Sequence, residues 1–254
     1  MLIAHTHSPY AWQADVDTTV VIPALVLLYL FAIGRTEPPP RWRLACFASS
    51  MALLAVAFWT PLHHLGLHNL LTAHLLQNVI LAEWAPMLAV LGISRPMAAA
   101  AARVRAWRVA VHPAVALPLW LADYFAWHVP PVYDYALEHQ SWLIHLEHAC
   151  YFGTGLLVWW PLLQDVPRRL ASGRRAAYAF SAFVLASPLG LLLALLPKPV
   201  YDYYVDARPR LWGLSPLADQ QIAGVTMAGE QAVVLFVVFL LWFRRFLAEE
   251  GALD

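Results

Sequence analysis

Apolar runs close to the length of a bilayer-spanning helix recur along the whole chain, at about 18–34, 43–62, 69–93, 112–128, 141–163, 177–197 and 220–246. A spanning helix needs about 20 predominantly apolar residues, because the hydrocarbon core is about 30 Å thick and every backbone polar group within it must be paired internally. Runs this frequent leave no stretch for an independent soluble domain. The expected fold is therefore all-α: a polytopic membrane protein, a bundle of about seven transmembrane helices, forming a single integral membrane domain over 1–254. With 61% hydrophobic and 13% charged residues, the chain carries too few charges to keep a globule of this length in solution. The first run follows Asp15 and Asp17 rather than a basic segment, and no small-residue cleavage site comes after it. It is expected to stay as a helix and not to be removed as a signal peptide. Cys46 and Cys150 fall in different spans, toward opposite faces, which argues against a disulfide.

The connections are short and carry turn residues: Pro38-Pro39-Pro40, Ser94-Arg95-Pro96, Pro130-Pro131, Ala171-Ser172-Gly173 and Pro197-Lys198-Pro199. The Ala-rich, Arg-bearing stretch from Met97 to Trp107 suits a short interfacial helix. Basic residues occupy alternate connections. Arg35, Arg41 and Arg43 follow the first span, Arg95, Arg103, Arg105 and Arg108 the third, and Arg168, Arg169, Arg174 and Arg175 the fifth, while Arg244 and Arg245 lie in the tail. The N-terminus and the stretches 63–68 and 129–140, read as loops, have no Lys or Arg, and the remaining connection has only Lys198, Arg208 and Arg210. The positive-inside rule then puts the N-terminus outside and the C-terminus in the cytoplasm. Trp59, Trp127, Trp142 and Trp212 near one interface, with Trp42, Trp107 and Trp242 near the other, read as membrane-belt anchors.

On that map the histidines are not evenly divided. His5, His7, His63, His64, His68, His74, His128, His139, His145 and His148 all fall on the outer side, and His112 alone falls inside. An imidazole within a span must find a partner, so the asymmetry points to a demand for nitrogen ligands at one face. The informative members stand at helix ends. His145 and His148, three apart, share one face of the fifth span; His74 lies in the first turns of the third, with Gln77 and Asn78 one turn deeper; His128 ends the fourth. Imidazoles converging from separate helices are how a bundle builds a metal site. Met227, in the outer half of the seventh span, offers a thioether, and soft ligands beside imidazoles favour Cu(I). The candidate metal ligands are His74, His128, His145, His148 and Met227, with Gln77, Asn78, Asp134, Glu147 and Asp219 as groups that orient them.

Each of these residues also has a plainer reading. A single helix-end histidine is commonly an interfacial hydrogen-bonding residue, and His5, His7, His63, His64, His68 and His139 are left with that role. Glu147 equally suits the positive end of a helix dipole. Asp123, Asp134 and Asp219 suit solvated or paired interfacial positions. Met227 and Met87 suit packing, and Cys150 a buried inert thiol.

The segment Trp127-His128-Val129-Pro130-Pro131-Val132-Tyr133-Asp134-Tyr135-Ala136-Leu137, then His145-Leu146-Glu147-His148 and the apolar run ending Trp159-Trp160-Pro161, resembles the multi-span CtaG-type cytochrome c oxidase assembly factors. So does Asp219-Gln220-Gln221-Ile222-Ala223-Gly224 leading to Met227. The resemblance covers most of the chain from the second span onward. It implies a bacterial plasma-membrane protein that binds copper at the outer face and delivers it to a haem–copper oxidase, with the oxidase subunits, the lipid bilayer and an extracytoplasmic copper donor as partners. It implies a chaperone and not an enzyme, and no nucleic acid. His74, His128, His145 and His148 match the family's histidines; Glu147, Asp219 and Met227 match its other polar or sulfur positions. One departure stands out. Where the family reads His-Met-x-Gln-His, this chain reads His74-Leu75-Leu76-Gln77-Asn78, and an amide oxygen is a poor ligand for a soft ion. Glu83 in the same span, near mid-membrane, is an expensive carboxylate with no assigned role.

Rival readings remain open at this point. A b-type haem protein would use facing imidazoles as axial ligands, and a non-metal scaffold would leave the histidines incidental. A hydrolase is disfavoured, because Glu147 directly precedes His148 and the helical H-E-x-x-H spacing is absent.

Overall fold

The computed structural model describes residues 8–12, 14, 16–139 and 142–251. His5, His7 and Asp15 lie outside the described residues, as does residue 141, where the fifth apolar run begins. Among the described residues the regular structure is entirely helical: α1 (Asp17–Arg35), α2 (Arg41–Trp59), α3 (Pro61–His68), α4 (Leu71–Gly92), α5 (Arg95–Ala101), α6 (Arg105–Ala110), α7 (Pro113–Trp127), α8 (Pro130–His139), α9 (Trp142–Leu163), α10 (Ser172–Leu195), α11 (Asp202–Asp206) and α12 (Pro216–Glu250).

Five of these, α1, α2, α4, α10 and α12, are long and apolar enough to cross a membrane. The chain is an all-α polytopic membrane protein. Helices α7 and α9 occupy the two other apolar runs. The 15 residues of α7 span about 22 Å at 1.5 Å per residue, and the first turns of α9 carry His145, Glu147 and His148, which lower its hydropathy.

Helix α4 is the centre of the bundle. Of its spanning window 72% is buried, against 11% for α1, and it packs against α2, α3, α9 and α12. Polar side chains within a span face the bundle interior, and those that α4 carries, His74, Gln77, Asn78 and Glu83, are all buried. Close approach depends on glycine. Cβ atoms built on Gly190 of α10 and Gly224 of α12 would meet the facing backbone, 2.7 Å from Ala228 N and 2.6 Å from Gly190 O respectively. Small residues of this kind let membrane helices approach backbone to backbone.

Two turns of π-helix, Asp17–Val21 in α1 and Ile80–Trp84 in α4, each stand just before a proline, Pro23 or Pro86. The proline nitrogen cannot donate to the carbonyl four residues back, and a wider turn accommodates the gap. At the second of these, Gly155 of α9 lies directly over Ala82 O and Pro86.

The stretches 63–68 and 129–140, expected as loops, are corrected to helices α3 and α8. Their prolines are the reason. Pro61 and Pro130 open a helix, where the missing N–H would be unpaired in any case, and Thr60 Oγ1 accepts from Leu62 N to cap α3. The interfacial helix expected over Met97–Trp107 is two short helices, α5 and α6. Cys46 and Cys150 are both free thiols.

Candidate metal centre

The start of α4 is fixed from another helix. Leu70, its N-cap, offers no side-chain acceptor. Asp219, in the first turn of α12, supplies one: Oδ2 accepts from Leu71 N at 2.8 Å, and Oδ1 accepts from Thr72 N at 3.0 Å and Thr72 Oγ1 at 2.7 Å. Deeper in the bundle, Gln231 Nε2 donates to Glu83 Oε1 at 3.1 Å. Both pairs are 148 positions apart, so α4 and α12 run parallel and in register. That alignment sets the height of His74.

His74 is fully buried. Its Nδ1 lies 2.9 Å from Tyr204 Oη, and Tyr204 Oη donates its own hydrogen to Gly66 O at 2.5 Å. The hydroxyl has one hydrogen to give, so it accepts from His74 Nδ1–H. The lone pair of His74 is therefore on Nε2, which is buried, has no hydrogen-bond partner and lies 3.7 Å from Glu147 Oε1.

The same argument holds twice more. His128 Nδ1 donates to the carbonyl of Tyr124 at 2.7 Å, because a carbonyl can only accept, and its Nε2 is buried and unpartnered. His148 Nδ1 donates to Asp17 Oδ2 at 3.0 Å, and its Nε2 is again buried and unpartnered. Three imidazoles are thus oriented through one nitrogen and bare at the other, the arrangement that metal-binding histidines adopt.

Glu147 stands among them. It is buried, accepts from Asn78 Nδ2 at 3.2 Å, and is acted on electrostatically by His74, His148 and His128. Asn78 thus reaches this carboxylate through its amide N–H. Aromatic rings wall the group: Tyr133 lies 5.2 Å from the His74 ring and 5.8 Å from the His128 ring, and Phe58 lies 4.9 Å from His148.

His145 joins at the edge. Its Nδ1 lies 2.9 Å from the same Asp17 Oδ2, and its side chain is 39% exposed. Among the described residues, Asp17, His145 and His148 form the group whose ligand atoms all lie within 4.8 Å of one another. The four predicted histidines are therefore divided, with His145 and His148 on Asp17 and with His74 and His128 beside Glu147. His148 belongs to both halves.

The remaining predicted residues are placed as follows. Gln77 Nε2 lies 3.0 Å from His63 Nδ1, and the His63 ring is 5.8 Å from that of His148. Asp219 caps α4, and Asp134 accepts from the backbone of Asp202 and Tyr203, both at 3.2 Å, capping α11; among the described residues neither carboxylate bonds an imidazole. Burial pushes the Asp134 carboxyl up from its ordinary range, opposed by those backbone donors. Met227 is buried. By the register of α12 on α4 it is level with Val79, five residues beyond His74 and about 7.5 Å deeper.

Sequence reasoning missed Asp17 and Tyr204. A carboxylate at the first turn of an apolar span is costly unless engaged, which was the signal available for Asp17. Nothing local marks Tyr204, which is 130 residues from His74.

No curated protein and no solved structure matches the chain. Residues 27–249 match the model of a family described as cytochrome c oxidase caa3 assembly factor, and with a match over most of its length the chain belongs to that family.

Proposed function

We propose that this assembly factor binds copper at the non-cytoplasmic end of its bundle and passes it to subunits of a haem–copper oxidase in a bacterial plasma membrane. The observation that carries this reading is the set of three buried imidazoles, His74, His128 and His148, each with Nδ1 donated elsewhere and Nε2 bare. The donor chemistry fits a cation, while the ligand atoms already gathered within 4.8 Å of one another are those of Asp17, His145 and His148. Neutral imidazoles suit copper, and Glu147 beside them is a buried carboxylate that a cation would offset. His145, the more exposed member, forms the entry together with the buried Asp17, and Met227 offers a soft sulfur on the inner side. Copper here is cargo. The protein acts as a chaperone and relay, and its arginine-poor, histidine-rich end faces outward by the positive-inside rule.

Metal analysis of detergent-purified protein tests the reading, with copper, zinc and iron counted together in wild type and His128→Ala. Stoichiometric copper that is lost in the variant is expected. Zinc in place of copper, or a visible haem band, overturns it. In cells, His145→Ala combined with His148→Ala should abolish oxidase maturation while the protein stays in the membrane; a scaffold with incidental histidines would still support assembly.

A further inference from the structure

Below the histidines lies a second buried polar cluster that the copper reading does not use. Glu83, in the π turn of α4, is about 18 Å along the helix from Leu71 and is 1% exposed. Its carboxyl is within hydrogen-bonding distance of that of Glu230 on α12. Gln231 Nε2 donates to Glu83 Oε1 at 3.1 Å and to Tyr124 Oη at 2.7 Å, and Trp84 Nε1 donates to Glu230 Oε1 at 2.6 Å. Each carboxyl thus has one oxygen held by a neutral N–H. The other oxygens, Glu83 Oε2 and Glu230 Oε2, are buried without a partner, as is the amide oxygen of the fully buried Gln231. Three orphaned acceptors in one place call for a donor or a cation.

The surroundings supply no cation. Helix α7 presents Tyr124, α9 presents Tyr151 behind it, and α2 presents the neutral Ser50, whose hydroxyl is committed to Ala85 O at 2.7 Å. Among the described residues no Lys, Arg or His forms an ion pair with either glutamate. Two carboxylates in contact within a bilayer cannot both stay ionised, since neither water nor a countercharge screens them.

We propose that Glu83 and Glu230 form a proton-binding site at mid-membrane, in which the O–H of one carboxyl group donates to the carboxylate of the other. The pair then holds one proton and one negative charge. Trp84 and Gln231 stabilise that charge, one N–H to each side, and the shared hydrogen joins the two carboxyl oxygens left without a donor. Tyr124 joins this site to the histidines above, with its side chain on Gln231 and its carbonyl on His128. The proposal does not depend on metal at the histidines.

Infrared difference spectroscopy of the purified chain, titrated with acid and base in H2O and D2O, tests it. Wild type should show a protonated-carboxyl band at neutral pH that shifts in D2O and is lost in the E83Q/E230Q double variant. In either single variant the remaining carboxyl has lost its like-charged neighbour, so the band should disappear at a pH lower by one unit or more, which is a proton activity at least tenfold higher. Absence of a protonated-carboxyl band at neutral pH in wild type overturns the proposal. So does a stoichiometric metal ion that survives His128→Ala and is lost on replacing the glutamates, since a metal cation would then be the occupant. Should the double variant fail to fold, the wild-type and single-variant titrations decide alone.

Discussion

Asp17 Oδ2 accepts from Nδ1 of both His145 and His148, so one oxygen sets the orientation of two rings. An amide in its place keeps the shape but weakens both bonds and lowers the basicity of each ring. Asp17→Asn should therefore weaken copper binding about 10–100-fold, measured by competition with a chelator, with the helical circular dichroism unchanged; an unaltered affinity would remove Asp17 from the site. A second residue-scale effect lies in α3. Burial and its neighbours His64 and His63 hold His68 down from 6.5 to about 4. The unfolded chain then takes up this proton first as pH falls, so stability is present above about 6.5 and is lost between about 6.5 and 4. The midpoint of thermal unfolding should drop over that window, and less steeply in His68→Gln; parallel curves would show that His68 does not contribute.

At the scale of elements, Asp219 and the glycine contacts place the site without touching it. Asp219→Ala leaves Leu71 N and Thr72 N at the buried start of α4 without their acceptor, a loss of about 1–2 kcal/mol for a helix cap. It should lower the unfolding midpoint and, by releasing the turn that carries His74, weaken copper binding as well. Gly224→Leu has no room against Gly190 O and the backbone of Ala194. It should destabilise the α10–α12 pair by more than a surface change in the same helix, such as Val233→Leu at a 64% exposed position, and equal stability would contradict the packing. The elements were only partly legible in the sequence. Periodic apolar runs located the long helices to within a few residues, whereas α3 and α8 were hidden because Pro61 and Pro130-Pro131 read as turn punctuation when they open helices. Asp134 and Asp219 were read as orienting imidazoles, and their backbone donors become visible only when α11 and α4 are brought beside them.

For the whole molecule, composition alone settles the class, because a chain this apolar must satisfy its backbone within helices. Trp42, Trp59, Trp142 and Trp212 are at least half exposed, as rings reaching a membrane interface would be. What sequence could not supply is the meeting of distant elements: Asp17 with His145, 128 positions away, and Tyr204 with His74. Those meetings require α1 and the segment after α10 to pack onto the histidine end, and they convert a list of histidines into rings with a defined tautomer. They also separate His145 and His148, on Asp17, from His74 and His128, beside Glu147, with His148 shared between the two.

The claim on which the functional account rests is that bare Nε2 atoms of His74, His128 and His148 hold the metal. X-ray absorption at the copper edge of the Cu(I)-loaded protein addresses it directly. Scattering from imidazole rings, reduced in each of His74→Ala, His128→Ala and His148→Ala, is the predicted result. A shell of sulfur alone, or a spectrum that none of the three replacements alters, would contradict it.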